Sequence, residues 1–423
     1  MSNTSTPPRT GTAPPAFSPY QRFATALLAL LQFAVILDFM VMSPLGAMIM
    51  PDLAISTHQF GQVVSAYAFS AGLSGLLTAG FADRFDRKKL LLVFYAGFLG
   101  GTLWCGLADS YTMLLCARIV TGLFGGVIGA MVLAIATDLF APAQRGRVMG
   151  LIQTGFAASQ VLGLPMALFL ANRWQWHAPF LALAAFGLLG GLLMMWRLQP
   201  VDAHLSLPQE HSPWMHLFHT LAQPRHLRAF VTTGLLTVGG YMLMPFSSAF
   251  VVHNLGISLD RLPLVYLITG LSTLVVTPLV GRLSDSLGKL PVFFAGSATT
   301  VLMVQIYTRL DEVSLAGLVL INVLMFAGIF SRMIPWQALM SGLPPPVQRG
   351  AFSALNASTQ QMAGGLASLV AGHLVHFGAD GQLLQFPLVA DVVAVSALIS
   401  AGLVWWAQRD TGPAPRTAPA HGE

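Results

Sequence analysis

GFADRFDRKKLL, residues Gly80–Leu91, decides how the chain is read. Two acids and four cations (Asp83, Arg84, Asp86, Arg87, Lys88 and Lys89) crowd together there, in a chain of 423 residues that is only 9% charged and 55% hydrophobic. Apolar stretches flank it, near 59–81 and 90–108. Each is long enough to cross a bilayer as a helix, which takes about 20 residues. The cluster is therefore the loop between two membrane spans.

Similar runs continue in both directions, near 23–49, 112–139, 148–171 and 178–197, then 228–253, 262–283, 290–308, 314–341, 350–376 and 384–408. They are apolar all round, without the polar–apolar alternation of a membrane barrel. The expected fold is an all-α polytopic membrane protein with twelve transmembrane helices. The expected organisation is a disordered tail over 1–21, a six-helix bundle over 22–197, a cytoplasmic linker over 198–227, a second six-helix bundle over 228–408 and a disordered tail over 409–423. With the N-terminus inside, sixteen of the 21 Lys and Arg residues fall on the inner side and three (Arg173, Arg261 and Arg309) on the outer side. That bias predicts cytoplasmic termini. It also explains the net charge of +5 without a nucleic-acid partner. Cys105 and Cys116 both lie in apolar runs and read as small buried hydrophobes.

The opening stretch has a partner. GRLSDSLGKL, Gly281–Leu290, lies between the eighth and ninth spans, and Asp285 follows Asp83 by 202 residues. PAQRG (Pro142–Gly146) and PVQRG (Pro346–Gly350) repeat at an offset of 204. Two separate motifs with nearly one offset indicate a six-span duplication. Duplicated transporters place the substrate site at the repeat interface, near the midplane.

At these residues the sequence resembles the major facilitator superfamily (MFS), over about 23–408. Gly80, Ala82, Asp83, Arg84, Arg87 and Lys88 match its loop signature, with Asp86 where the family has glycine. Gly281, Arg282, Asp285, Gly288 and Lys289 match in the second half. RIVTGLFGG (Arg118–Gly126) is similar to the family's Arg-x-x-x-Gly element. GFAASQVLGLP, with Gly155, Gly163 and Pro165, is similar to the antiporter signature of the fifth span but lacks its Gly-Pro dipeptide. SRMIPWQA and PVQRGAFSALN resemble the drug and sugar (arabinose) efflux-permease branch. The resemblance implies two pseudo-symmetric six-helix halves. It also implies a cytoplasmic gate at the loop motifs.

The residues allow the same gate. Gly80 permits close helix approach. Asp83 would meet the N-terminal dipole of the eleventh span, worth about 0.3–1 kcal/mol and up to about 2 if partly buried. Asp138 is a natural partner for Arg87. Together these contacts would latch the halves and favour an outward-open state; the alternative is topology anchoring alone, the role read for Lys88 and Lys89. Asp tolerates left-handed backbone, so the turn can survive at Asp86.

Four ionisable residues lie inside spans: Asp38, Arg118, Arg332 and Asp391. Each costs about 2.5–3.5 kcal/mol at mid-bilayer on insertion scales and is a functional candidate. Asp38 and Arg118 fall at similar depth and form a plausible pair. Burial disfavours a charged carboxylate and a cation favours it, so a balanced group can bind and release a proton. Asp38 therefore reads as a proton-coupling carboxylate; the alternatives are a static pair and recognition of a cationic substrate. Pro335 would kink its helix and swing Arg332 and Trp336 to the cavity, unless Arg332 pairs with an acid such as Asp391. Asp391 itself reads as structural. Gln32, Gln153, Gln160, Tyr241, Gln337, Asn356 and Gln360 are candidate cavity residues, or else interhelical hydrogen-bonders. Met42, with Met40, Met242 and Met244, flanks the same region, where the alternative is packing filler. His253, His373 and His376 show no metal-ligand spacing, and neither metal nor cofactor is expected.

The sequence holds no phosphate-binding loop, His-Glu-x-x-His or Gly-x-Ser-x-Gly element, which argues against a nucleotide-driven pump or a hydrolase. The expected protein is a monomeric, multi-pass secondary transporter of the cytoplasmic (inner) membrane. It would export a drug, sugar or metabolite in exchange for protons by alternating access, with the substrate, protons and bilayer as partners. Uptake symport and facilitated diffusion are the alternatives; a membrane sensor or enzyme is the alternative of another class.

Overall fold

A computed structural model describes residues 16–79, 81–202, 205, 213–345 and 348–410. Fourteen α-helices run through them. The first half holds α1 (Pro19–Asp52), α2 (Thr57–Ala79), α3 (Arg87–Cys105), α4 (Tyr111–Leu139), α5 (Pro142–Ala158), α6 (Leu164–Trp174) and α7 (Ala178–Arg197). A π-helical turn, Ser159–Gly163, joins α5 and α6 into one path. The linker holds α8 (Pro213–Ala222). The second half holds α9 (Pro224–His253), α10 (Leu262–Leu287), α11 (Lys289–Tyr307), α12 (Leu315–Ser341), α13 (Arg349–Leu374) and α14 (Phe386–Asp410). A short antiparallel hairpin pairs β1 (His376–Phe377) with β2 (Leu383–Leu384).

These helices make twelve membrane-length passages, counting α5, the π turn and α6 as one. Ten are long and apolar enough to cross a bilayer by composition. The other two are α3, which opens on Arg87-Lys88-Lys89, and α13, which is rich in Ser, Thr, Asn and Gln. Twelve passages bring the start of α1 and the end of α14 to one face, called here the terminal face; the opposite one is the far face.

Packing repeats between the halves. In the first, α4 packs on α2 and α3, α1 on α5 and α7, and α3 on α7. In the second, α12 packs on α10 and α11, α9 on α13 and α14, and α11 on α14. The duplication read from the loop motifs is thus present in the helix packing. Between halves, α2 packs on α13, α1 on α9, and α6 with the π turn on α10.

Helix ends depart from the expected spans for local reasons. α1 begins at Pro19, inside the expected tail, because Ser18 and Gln21 form a capping box. Phe17 precedes it, buried against Phe140 and under the Arg147 guanidinium. α8 gives the expected linker a helix, and Leu217 on it joins the second-half core.

Candidate functional site

Small residues on α4 build the first site. A Cβ on Gly122 would lie 2.4 Å from Tyr67 O, and one on Gly126 2.4 Å from Ala71 O. Glycine therefore lets α4 close on the backbone of α2. That approach sets the Arg118 guanidinium 4.4 Å from the centre of the Tyr67 ring. Arg118 Nη1 donates to Asp38 Oδ2 on α1 at 2.8 Å, and Thr102 Oγ1 on α3 donates to Asp38 Oδ1 at 3.0 Å. Asp38 is fully buried and Arg118 is 1% exposed. Arg118 Nε has no partner. Residues from four helices thus converge on one buried ion pair. Cys105, with its sulfur 3.8 Å from Thr121 Oγ1, packs beside it.

The pair is linked to the interface between halves through aromatic rings. Tyr67 stands 5.3 Å from Phe39, and Phe39 stands 5.6 Å from Tyr241 on α9. Tyr241 donates to Gln361 Oε1 at 3.1 Å.

Cross-half contacts hold the far face shut. Thr57 Oγ1 donates to Val375 O at 2.6 Å, Asn172 Nδ2 to Leu259 O at 3.0 Å and Ser248 Oγ to Ser43 O at 3.1 Å. The rings of His58 and His373 meet there at 3.9 Å, a contact that sequence spacing does not reveal. Deeper along the seam, Ser358 Oγ donates to Gly72 O at 2.8 Å. A cavity of about 550 Å³ opens instead towards the terminal face, between α12 and α13.

Trp336, Gln337, Asn356 and Gln360 line that cavity together with Arg349. Trp336 Nε1 donates to Thr233 Oγ1 at 2.9 Å, which fixes the indole, while Asn356 Oδ1 is buried without a partner. The other expected cavity residues lie elsewhere. Met42 is fully buried in the core cluster that runs through both halves. Gln32 sits beside Gly129, Gln153 is exposed on α5, and Gln160 is buried in the π turn where its backbone meets Gly270. Tyr241 belongs to the interface stack. Arg332 turns away from this cavity, because Ser400 Oγ on α14 accepts from its Nη2 at 2.9 Å. Asp391 does not pair with Arg332; it binds Arg309 and Gln305, each at 2.9 Å.

The loop motif resolves into caps and a within-half pair. Arg87 Nε lies 2.6 Å from Asp138 Oδ2, and this contact joins α3 to α4 rather than one half to the other. Asp86 has φ −54°, so no left-handed turn is needed. Its Oδ1 instead accepts from the backbone N–H of Lys88 at 2.8 Å and of Val201 at 3.3 Å, capping α3 and tying down the linker. Lys88 goes beyond anchoring: its Nζ donates to Met195 O at 3.1 Å, in the last turn of α7. Gly80 and the Asp83 side chain, expected to form the latch, lie outside the described residues. Arg84, Arg282 and Asp285 are exposed, and neither they nor Lys289 makes an ion pair among the described residues. Gly281 has open space where a Cβ would stand, so close packing is not its role. Gly288 has φ +94° at the α10–α11 junction, a conformation that suits glycine.

In the fifth passage, a Cβ on Gly155 would lie 2.4 Å from Ala29 O, and one on Gly163 2.8 Å from Leu37. Both let this passage pack on α1. Pro165 follows the π turn, where Leu164 N–H reaches back to Ser159 O. A wider turn of this kind accommodates a proline in a span.

The Major Facilitator Superfamily profile matches residues 28–368 and 229–423. The chain belongs to the Major Facilitator Superfamily. Two MFS-type transporters of Bacillus subtilis (strain 168) are similar to it. YceJ is 26% identical over 356 residues, covering 82% of this chain and 89% of its own. YbcL is 23% identical over 385 residues, covering 90% and 95%. Among solved structures, a bacterial homologue of the human lysosomal transporter Spinster, inward-facing and occupied, matches with a TM-score of 0.72 at 17% identity, over 93% of this chain and 98% of its own. A mutant of the nucleoside transporter NupG matches at 0.74 and 14% identity, over 91% and 98%. The fold is therefore the MFS fold, and this MFS protein is a multi-pass membrane transporter.

Proposed function

We propose that the protein exports a small molecule in exchange for protons by alternating access, with Asp38 carrying the proton. The observation that supports this most is the Asp38–Arg118 pair, buried within the membrane-length helices α1 and α4 and shared between them. Protonating Asp38 removes the counter-charge of Arg118. The guanidinium is then held by the Tyr67 face and the Asp38 carbonyl, 3.4 Å away. An uncompensated buried ion costs about 3–5 kcal/mol, so proton occupancy biases how α1 packs on α4. The stack through Tyr67, Phe39 and Tyr241 lies where such a shift reaches the interface. Complete burial favours this reading over recognition of a cationic substrate by Asp38.

The cavity suits a small molecule with an apolar or sugar-like face and several hydrogen-bonding groups. Trp336 supplies an apolar wall, the amides of Gln337, Asn356 and Gln360 supply donors and acceptors, and Arg349 is the charged residue in the lining. A place in the drug and sugar efflux branch fits that lining. The excess of cations on the terminal face supports cytoplasmic termini in the inner membrane. The cavity then faces the cytoplasm, the loading side of an exporter. One chain contains both halves of the path, so the monomer suffices.

The test is proton flux in everted vesicles, with a dye reporting the imposed pH gradient while sugars, amino acids and drugs are added. The expected result is one compound class that dissipates the gradient, and Asp38→Asn abolishes the effect. Undiminished dissipation in Asp38→Asn removes the coupling role. Equilibration of labelled compounds without proton movement makes the protein a facilitator, and accumulation driven by proton entry makes it a symporter.

A further inference from the structure

The far-face closure contains a pair of titratable rings. His58 stands in the first turn of α2 and His373 in the last turn of α13, on opposite halves. Their ring centres are 3.9 Å apart and their planes are inclined at 66°, so one ring presents its edge to the other. That contact is attractive while both rings are neutral. His373 is exposed at the far end of α13, so protons from that side reach the pair. Its Nδ1 lies 2.9 Å from Leu369 O, and a carbonyl oxygen only accepts. Nδ1 therefore donates, which holds the ring in place, and Nε2 is the atom that takes up a further proton. His58 is half-buried, and its Nδ1 is buried without a partner.

The backbone beside the rings leaves no slack. A Cβ on Gly61 would lie 2.9 Å from Ser368 O and 3.1 Å from Gly372 Cα, and one on Gly372 would lie 2.9 Å from Thr57 O. α2 and α13 thus touch backbone to backbone at the pair, and Thr57 Oγ1 donates to Val375 O next to it. With one ring pinned and the helices in contact, repulsion between the rings is relieved by parting α2 from α13.

No counter-charge is at hand. On the elements packed against these two helices, Asp52 at the end of α1 accepts from Trp176 Nε1, Tyr111 on α4 donates to Gln62 Oε1, and Asp391 on α14 pairs with Arg309. His253 on α9 faces Phe377, the neighbour of His376 in the hairpin, and Asp380 accepts from the Gln382 N–H there. No ion pair joins a carboxylate to either ring among the described residues.

We propose that His58 and His373 form a proton-sensitive latch, which holds the far face closed while the pair carries at most one charge and releases it when both rings are protonated. Two cations in this contact repel, and opening separates them. Acid on the far side therefore favours the far-open state, and a neutral or alkaline medium favours the closed one. The latch acts on the closure itself, so it is independent of which substrate is transported and of the role of Asp38.

Spin labels on Leu107→Cys and Glu312→Cys, in a background carrying Cys105→Ser and Cys116→Ser, report how far apart the halves stand at the far face. Both positions are exposed, in far-face loops of the first and second half. Pulsed electron–electron distance measurements on the full-length protein in lipid nanodiscs are made at pH 8 and pH 5, the ends of the range in which histidine ordinarily changes charge. A longer distance is expected to grow at the lower pH. The open-to-closed ratio is expected to rise at least about fivefold, the repulsion of two unit charges about 4 Å apart even in bulk water. His373→Gln alters an exposed position, keeps a polar side chain and cannot gain the charge. It is expected to make the ratio the same at both pH values, and so is His58→Gln. A ratio that does not respond to pH with both histidines present overturns the proposal. An acid-induced rise that survives in either variant overturns it too, because another group then carries the response. A ratio already high at pH 8 in the variants also overturns it, since the rings then hold the seam by packing alone.

Discussion

Arg118 and Asp38 depend on each other because neither has another partner of opposite charge among the described residues. Asp38 takes one hydrogen bond from Thr102 and one from Arg118, and Arg118 rests on Tyr67. Arg118→Met leaves a buried carboxylate with a single hydroxyl. The expected loss is about 3–5 kcal/mol of stability, because an isolated buried ion costs more than the pair. Adding Asp38→Asn to that variant is expected to recover part of the loss, since both charges are then gone. Denaturant unfolding of the two single variants and the double variant gives the coupling energy. Strict additivity would show that the two side chains do not interact. Asp86 shows a simpler logic. It replaces a glycine of the family's loop signature, and it is accommodated because its carboxylate caps α3 and accepts from Val201 N–H in the linker.

At the scale of elements, the seam between α2 and α4 decides where the ion pair can form. Gly126 faces the Ala71 backbone, with a notional Cβ 2.5 Å from Ala71 Cα. Backbone cannot move aside as a flexible side chain can. Gly126→Val is therefore expected to cost about 1–3 kcal/mol or more and to lift Arg118 off Tyr67. A lower unfolding midpoint together with loss of proton-coupled transport checks this; an unchanged midpoint would mean that α4 can slide without penalty. The fifth passage solves a related problem differently. Gly155 and Gly163 bring it against α1, and the π turn absorbs Pro165 without breaking the path. Its small residues therefore fix the distance between the helix of Asp38 and the helix that meets α10 across the interface.

At the scale of the whole molecule, contacts between the halves close the far face, and the cavity between α12 and α13 opens at the terminal face. Hydrogen bonds from Thr57 to Val375, Asn172 to Leu259 and Ser248 to Ser43 cross between halves on the far side. Ser353, in the terminal-face cavity, is exposed, whereas Ser248 is 1% exposed. In a background carrying Cys105→Ser and Cys116→Ser, Ser353→Cys is expected to react with a membrane-impermeant thiol reagent applied from the side of the termini. Ser248→Cys is expected to be protected from both sides in this conformation. Labelling of right-side-out and everted vesicles checks both expectations and fixes the orientation independently of the charge bias. Rapid labelling of Ser248→Cys from the opposite side would show that the far-open state dominates in the membrane.

The membrane class, the twelve passages and the duplication were all legible in the amino-acid sequence. Apolar runs, cation placement and paired loop motifs depend on composition and spacing along one chain, and packing does not alter them. The Asp38–Arg118 pair was legible for the same reason: counting residues along two spans puts both side chains at one depth. Rotation about a helix axis could not be counted in this way. Arg332 and Trp336 are four residues apart, yet one meets Ser400 on α14 while the other walls the terminal-face cavity and meets Thr233 on α9. Met42 reads as a cavity residue until α1 is packed, and is then fully buried. The meeting of His58 with His373, and the choice of which face is closed, arise from contacts between halves whose partners are 87 to 318 residues apart in the chain. Those are set by the close fit of small residues across an interface, which only the tertiary structure decided.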